Sequence, residues 1–243
     1  MTDGPSHRLA GGNMGTVVRH GDRVMRESGE WTPAVHRLLR QLNDAGIGGV
    51  PAPLGVTDDG REVLRFIEGE VPASPTPAWV WGDAALESAA QTLRRVHDAT
   101  VGLSVEGPWR SPTREPADVI CHNDFAPYNL VFRAGVVVGV IDWDMASPGP
   151  RLWDLAYLAY RILPLTTDDW GDGFAPAERR QRAQRLMRAY GDEWPLSELT
   201  LMVRRRLLAL AAFSDQAARR LGKPELSDHA VLYRHDAQNL LDW

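Results

Sequence analysis

The chain has one cysteine and one lysine among its 243 residues, and no long apolar run. With Cys121 alone there is no disulfide within the chain, which fits a reducing compartment. No stretch approaches the ~20 consecutive apolar residues that a spanning helix needs. Met1-Thr2-Asp3-Gly4-Pro5 has neither the basic region nor the apolar core of a signal peptide. These absences predict a cytoplasmic protein with no membrane partner. There is also no basic cluster interleaved with aromatics, and net charge is −5, so nucleic acid is not an expected ligand. The triplet Arg204-Arg205-Arg206 falls in an amphipathic helical pattern and reads as a solvated face.

What is present is 44% hydrophobic residues, enough for a sizeable core in one large domain or two small ones. The first 70 residues read as short strands around one helix. Thr16 to His20 and Arg23 to Arg26 flank a hairpin turn at His20-Gly21-Asp22. Thr32 as N-cap, Pro33 at the first helical position and Val35, Leu38, Leu39 and Leu42 at helical spacing predict a helix that stops near Gly46. Arg61 to Ile67 reads as a further strand. Pro72, Pro75 and Pro77 interrupt any regular pattern, so a lobe boundary is expected there, dividing the chain into 1–70 and 71–243. Helical periodicity returns from Asp83 to Ala99, and again over 152–162, 176–190, 196–220 and 228–241.

The densest chemical signal lies between these helices. His122-Asn123-Asp124 is followed by Asn129 and, inside an apolar stretch, by Asp142. Phosphoryl transfer from a nucleotide needs a carboxylate to orient the attacking hydroxyl and accept its proton, and oxygen ligands for Mg²⁺. In the spacing H-x-D-x-x-x-x-N the Asp does the first and the Asn contributes to the second. Asp124 and Asn129 fit those positions, with His122 as the third member of the catalytic group. Pro127 between them fixes its own φ and disfavours helix at Ala126, so a rigid irregular loop is expected. Leu130 to Phe132 and Val136 to Ile141 read as a hairpin around Arg133-Ala134-Gly135, which returns Asp142 towards Asn129 as a second metal ligand.

The segment ICHNDFAPYNLVF, followed by VIDWDMASPGPRLWDLAYLAYRI, resembles the aminoglycoside phosphotransferase family, whose pattern is H-G-D-x-x-x-x-N and then I-D-x-x-x-A-x-x-G-x-x-x-x-D-L-A. The resemblance implies an α+β, protein-kinase-like bilobal fold, with a small β-rich N-lobe and a larger, mostly helical C-lobe. It implies ATP or GTP bound between the lobes with Mg²⁺, and a small hydroxylated molecule as phosphate acceptor. Asp124 would be the catalytic carboxylate, Asn129 and Asp142 the metal ligands, Asp154 a buried partner of the catalytic loop, and His122 a loop organiser. Asn123 departs from the family's usual Gly, a change that bears on local backbone freedom.

The first 70 residues match less fully. Ala10 to Val17 overlays G-x-G-x-x-G-x-V with Ala10 in the first Gly position, so Gly12 and Gly15 are the candidates for phosphate contact through backbone N–H groups. Kinase-like sites place a Lys on the third strand, paired with a Glu on the following helix. Here Arg26 fits the Lys position, while the Glu position falls near Val35 or His36, where there is no acid. The usual ion pair is therefore expected to be missing, with Glu27 and Glu30 as nearby acids to orient Arg26. The hinge between lobes is expected to follow the strand that ends in Phe66-Ile67-Glu68-Gly69, where the family resemblance implies that backbone groups read the base, which makes Phe66 and Glu68 the backbone candidates.

Acceptor identity has a weaker signature. From Arg151 onward, 14 Lys and Arg stand against 13 Asp and Glu, which is not the acidic balance a polycationic aminosugar would require. Local clusters remain at Asp168, Asp169 and Asp172, and at Asp215, Asp236 and Asp242, with Trp170 and Trp243 in polar surroundings. The reading is an ATP-dependent kinase of a small hydroxylated molecule. Its alternative, favoured by the missing Lys–Glu pair, is a pseudokinase-like nucleotide-binding or regulatory module without turnover.

Overall fold

The computed structural model describes residues 6–8, 17–166, 172–192 and 194–240. Strand β1 (Ser6–Arg8) pairs with β2 (Val18–His20), which turns at Gly21-Asp22 into β3 (Arg23–Glu27). Helix α1 (Thr32–Asp44) follows and buries Val35, Leu38, Leu39 and Leu42, the positions its periodicity singled out. Thr32 is the first residue of that helix rather than its cap; Trp31 caps it, and Thr32 Oγ1 accepts the Gly29 N–H at 2.8 Å. After α1, β4 (Pro53–Val56) and β5 (Arg61–Arg65) complete an antiparallel sheet of order β1-β2-β3-β5-β4. Its register sets Arg26 directly opposite Glu62, and so decides what the Arg26 side chain can reach.

The rest of the chain is mostly helical. Helix α2 (Asp83–Ala99) turns Leu86, Ala89, Ala90, Leu93 and Val96 into the core. Strand β6 (Val119–Cys121) leads into the catalytic loop, and the hairpin β7 (Leu130–Arg133) and β8 (Val136–Val140) follows it. That hairpin closes on Ala134 and Gly135, both at positive φ (51° and 75°), the backbone twist a two-residue connection favours. Strand β9 (Ser147–Gly149) returns to pair antiparallel with β6, which ties the start of the catalytic loop to the end of the loop carrying Asp142. Helices α3 (Arg151–Ile162), α4 (Pro176–Tyr190), α5 (Leu196–Leu221) and α6 (Glu225–Asn239) form the remainder, with α5 and α6 joined through Gly222 at φ +64°.

Two backbone links fix the sheet against the catalytic hairpin. Glu70 and Phe132 exchange hydrogen bonds of 2.8 and 2.7 Å, and the Val140 N–H donates to Gly49 O at 2.7 Å. Gly49 sits at φ +82°, and a Cβ there would lie 2.3 Å from Val138 O, so the approach is open only to glycine. One continuous apolar core runs beneath, from Leu38 and Leu39 of α1 through Leu86 and Leu93 of α2 to Trp143, Tyr160 and Leu207. No helix among the described residues is long and apolar enough to cross a membrane.

Candidate active site

The loop after β6 is held from below by one carboxylate. Asp154, fully buried in the first turn of α3, accepts the backbone N–H groups of His122 (2.6 Å) and Asn123 (2.8 Å) and contacts His97 Nε2 at 3.3 Å. His97 Nδ1 in turn meets Tyr190 Oη at 2.7 Å. Burial pushes the Asp154 carboxyl up, but the hydrogen bond and charge of His97, with those of His122, outweigh it and hold it below the ordinary aspartate value.

Asn123 takes φ +63°, a left-handed conformation that Asn tolerates better than most residues, so the departure from glycine costs little backbone freedom. Its side chain is used fully: Nδ2 donates to Met145 O and Ser147 Oγ, both at 2.8 Å, and Oδ1 accepts Trp153 Nε1–H at 2.9 Å. The amide thus stitches the catalytic loop to the loop after Asp142. Arg206 Nη2 donates to the Asn123 carbonyl, and its guanidinium lies over the rings of Tyr157 (4.7 Å) and Trp153 (4.9 Å). Arg206 is buried, against the expectation of a solvated triplet; Arg205 alone of the three is exposed. The signal was present, because Leu199, Val203 and Arg206-Leu207 follow one helical stripe.

His122 faces inward. Its Nε2–H donates to Ile141 O (2.9 Å) and its Nδ1 accepts the Asp124 N–H (3.2 Å), so both ring nitrogens are engaged. It organises the loop and is placed to take no proton from a substrate. Asp124 is the group that points outward: Oδ1 accepts Tyr128 Oη–H at 2.7 Å and Oδ2 accepts Asn129 Nδ2–H at 2.9 Å. Burial raises its pKa above the ordinary aspartate value, against the lowering pull of the Tyr128 hydrogen bond and His122.

Asn129 Nδ2 also donates to Asp124 O at 2.9 Å, and with the amide nitrogen so committed the amide oxygen is the atom left for a cation. Ile141 N–H donates to Asn129 O at 2.9 Å, which sets Asp142 beside it. Asp142 has φ +60° and ψ +63°, a left-handed conformation that Asp, like Asn, adopts more readily than most residues and that non-glycine residues show chiefly at turns and functional sites. A carboxylate and an amide oxygen of this kind fit a hard divalent cation such as Mg²⁺.

Arg26 does not stand alone. Its Nε pairs with Glu62, Nη1 donates to Asp142 Oδ1 at 2.7 Å, and Nη2 donates to Asp144. The orienting acid comes from β5, not from Glu27 or Glu30. The usual Lys–Glu pair is missing, as expected, and an Arg–Glu pair between β3 and β5 stands in its place; the pairing register of the two strands, invisible in sequence spacing, is what brings Glu62 to Arg26. His36 Nε2 contacts the second Glu62 oxygen at 2.9 Å. Asp144, also passed over in the sequence, takes Arg110 at 3.5 Å as well as Arg26; burial lifts its pKa and Arg26 works against that.

Two comparisons decide the family. The model of the phosphotransferase enzyme family matches residues 106–199. The trifolitoxin immunity protein of Rhizobium leguminosarum bv. trifolii is 37% identical over 189 residues, which cover 74% of this chain and 71% of that protein. The chain belongs to the aminoglycoside phosphotransferase family. Solved structures share the fold of this family member: a choline/ethanolamine kinase family protein from Mesorhizobium loti (TM-score 0.70, 20% identity, 99% of this chain and 89% of that one) and the GDP complex of an aminoglycoside 2'-phosphotransferase (TM-score 0.66, 14% identity, 98% and 94%). Both are likenesses of protein-kinase-like architecture, the α+β arrangement expected from the sequence.

The remaining candidates of this phosphotransferase divide. Gly12 and Gly15 lie outside the described residues, as do Asp168, Asp169, Trp170, Asp242 and Trp243. Phe66 donates its N–H to Asp22 O (2.8 Å) and carries Arg19 over its ring at 3.6 Å. Glu68 O accepts Arg133 (3.1 Å), and its side chain pairs with Arg19 at 2.6 Å. Among the described residues, Phe66 C=O and Glu68 N–H make no hydrogen bond and are the backbone groups a purine edge can use. The acids that remain describable are engaged: Asp172 with Arg179 (2.9 Å), Asp215 with Arg234, and Asp236 with Tyr160 Oη (2.6 Å).

Proposed function

We propose that this protein transfers the γ-phosphoryl group of ATP, or of GTP, to a hydroxyl of a small molecule. The observation that carries the reading is Asp124, an outward-facing carboxylate on a pinned loop, aligned through Asn129 with Asp142 in its left-handed turn. In the reaction the acceptor oxygen bonds to the γ-phosphorus as its bond to the β-phosphate oxygen breaks, the nucleoside diphosphate leaves, and the hydroxyl proton passes to Asp124. Asn129 and Tyr128 hold the carboxylate for this by donating one hydrogen bond to each oxygen. Asn129 Oδ1 and Asp142 would hold Mg²⁺, which when bound neutralises charge on the phosphates. Positioning and charge stabilisation dominate over base strength.

In this reading residues 1–70 form the nucleotide side, with the Gly12–Gly15 loop over the phosphates and Phe66 and Glu68 at the base, and 71–243 form the acceptor side. The engaged acids favour a neutral or weakly charged hydroxyl compound over a polycationic aminosugar. The resemblance to an immunity protein adds toxins to the acceptor classes to assay. Asp124→Ala should lower turnover by roughly 10²- to 10⁴-fold while Mg²⁺-ADP binding, followed calorimetrically, stays close to wild type. Retained turnover in that variant would sink the assignment.

A further inference from the structure

Three polar side chains from three separate elements converge behind Asp142. Arg26 on β3 is held at Nε by Glu62 of β5, and Glu62 is held at its second oxygen by His36 of α1 (2.9 Å). Glu62 and His36 are both buried, at 1% and 4% exposure, so neither is a surface ion pair of small consequence. Only after Arg26 does the chain of contacts reach Asp142 and Asp144.

We infer that Glu62 and His36 act as positioning residues for the nucleotide site: the acid that kinase-like sites place on the helix after the third strand has moved to β5, and His36 keeps that helix coupled to it. The Arg26 guanidinium faces three carboxylates at once, those of Glu62, Asp142 and Asp144. The guanidinium therefore stays a fixed cation, its fork aimed at two loop carboxylates. A planar fork with three bonded nitrogens cannot swing to solvent without breaking all of them. Arg26 thus holds the Asp142 loop in register with the sheet, and its position depends on Glu62 rather than on any helix acid. Were Asp142 to hold a metal, Nη1 would share that carboxylate with it, while the bond from Nε to Glu62, on the other side of the fork, would be untouched.

The inference rests on residues 26 to 142 being a nucleotide site, and the experiment separates the two. Mg²⁺-ADP binding is measured calorimetrically for wild type, Glu62→Ala, and Glu62→Ala combined with His36→Glu, with the thermal midpoint of each recorded. Removing Glu62 should weaken Mg²⁺-ADP binding by about 10- to 100-fold, the usual cost of losing a partner that orients a ligand group. Returning an acid to the helix in the double variant should recover most of that loss. Equal affinity in wild type and Glu62→Ala would overturn the inference while leaving the nucleotide site standing. Weakened binding in Glu62→Ala that the double variant fails to recover, in a protein whose thermal midpoint has been restored, would also overturn it. No Mg²⁺-ADP binding by wild type would overturn the nucleotide reading itself and this inference with it.

Discussion

Asp124 is pulled in opposite directions by its surroundings. Burial favours its protonated form, and the hydrogen bond from Tyr128 favours the carboxylate. The carboxylate is the form that accepts the hydroxyl proton, so activity is present above the Asp124 pKa and is lost as pH falls through it. Tyr128→Phe removes a lowering contribution. The acid limb of kcat/KM should therefore move to higher pH, by about one unit for a hydrogen bond to a charged group; a limb that stays in place or moves down would contradict this. Tyr128 itself was legible only as a filler in the spacing between Asp124 and Asn129, since nothing in the sequence shows that its hydroxyl lies between Asp124 and Tyr157 (2.7 Å to each). Asp124, Asn129 and Asp142 were legible because their chemistry fixes both residue type and spacing along one continuous loop and hairpin. Glu62 and His36 were not, because strand register brings Glu62 to Arg26 across 36 residues of chain and helix packing brings His36 to Glu62 across 26.

At the scale of elements, the catalytic loop and α3 form one unit through Asp154. The carboxyl of Asp154 is held below its unfolded value, so its contribution to stability is fully present above about pH 4 and is lost as pH falls through the folded pKa. Asp154→Asn puts an amide donor against backbone N–H groups. It should cost about 3–5 kcal/mol, as breaking a buried charged partnership does, and it should flatten the acid side of the stability profile, read from urea midpoints across pH. An unchanged midpoint would show that the loop is held by other means. The helices themselves were readable to within a few residues, because each carries an apolar stripe; α6 begins at Glu225 and ends at Asn239, against an expectation of 228–241. The strands β4, β6 and β9 were not, being three or four residues long, with Pro and Gly inside β4 and β9.

For the whole molecule, the arrangement of sheet and helical part depends on close backbone approach at the hairpin as well as on the continuous apolar core beneath it. Gly49 is the narrowest point, and Gly49→Ala adds a Cβ within 2.3 Å of Val138 O at a positive φ. It should cost at least ~2 kcal/mol and weaken nucleotide binding, because β8 would have to withdraw from the α1–β4 loop. Stability and binding both equal to wild type would show that the contact is dispensable. The acceptor is the part of function least written in the chain. Its recognition depends on which carboxylates are free, and among the acids singled out, Asp172, Asp215 and Asp236 have partners that only the tertiary structure supplies.

The most direct measurement is nucleoside diphosphate release with Mg²⁺-ATP and Mg²⁺-GTP, wild type beside Asp124→Ala, across aminoglycosides, other hydroxylated antibiotics and toxins, amino alcohols and simple sugars. A phosphotransferase built on Asp124 predicts release stimulated by at least one acceptor in wild type and abolished in the variant. Release that is equal in the two proteins, or that no acceptor stimulates while nucleotide and metal are bound, would contradict it.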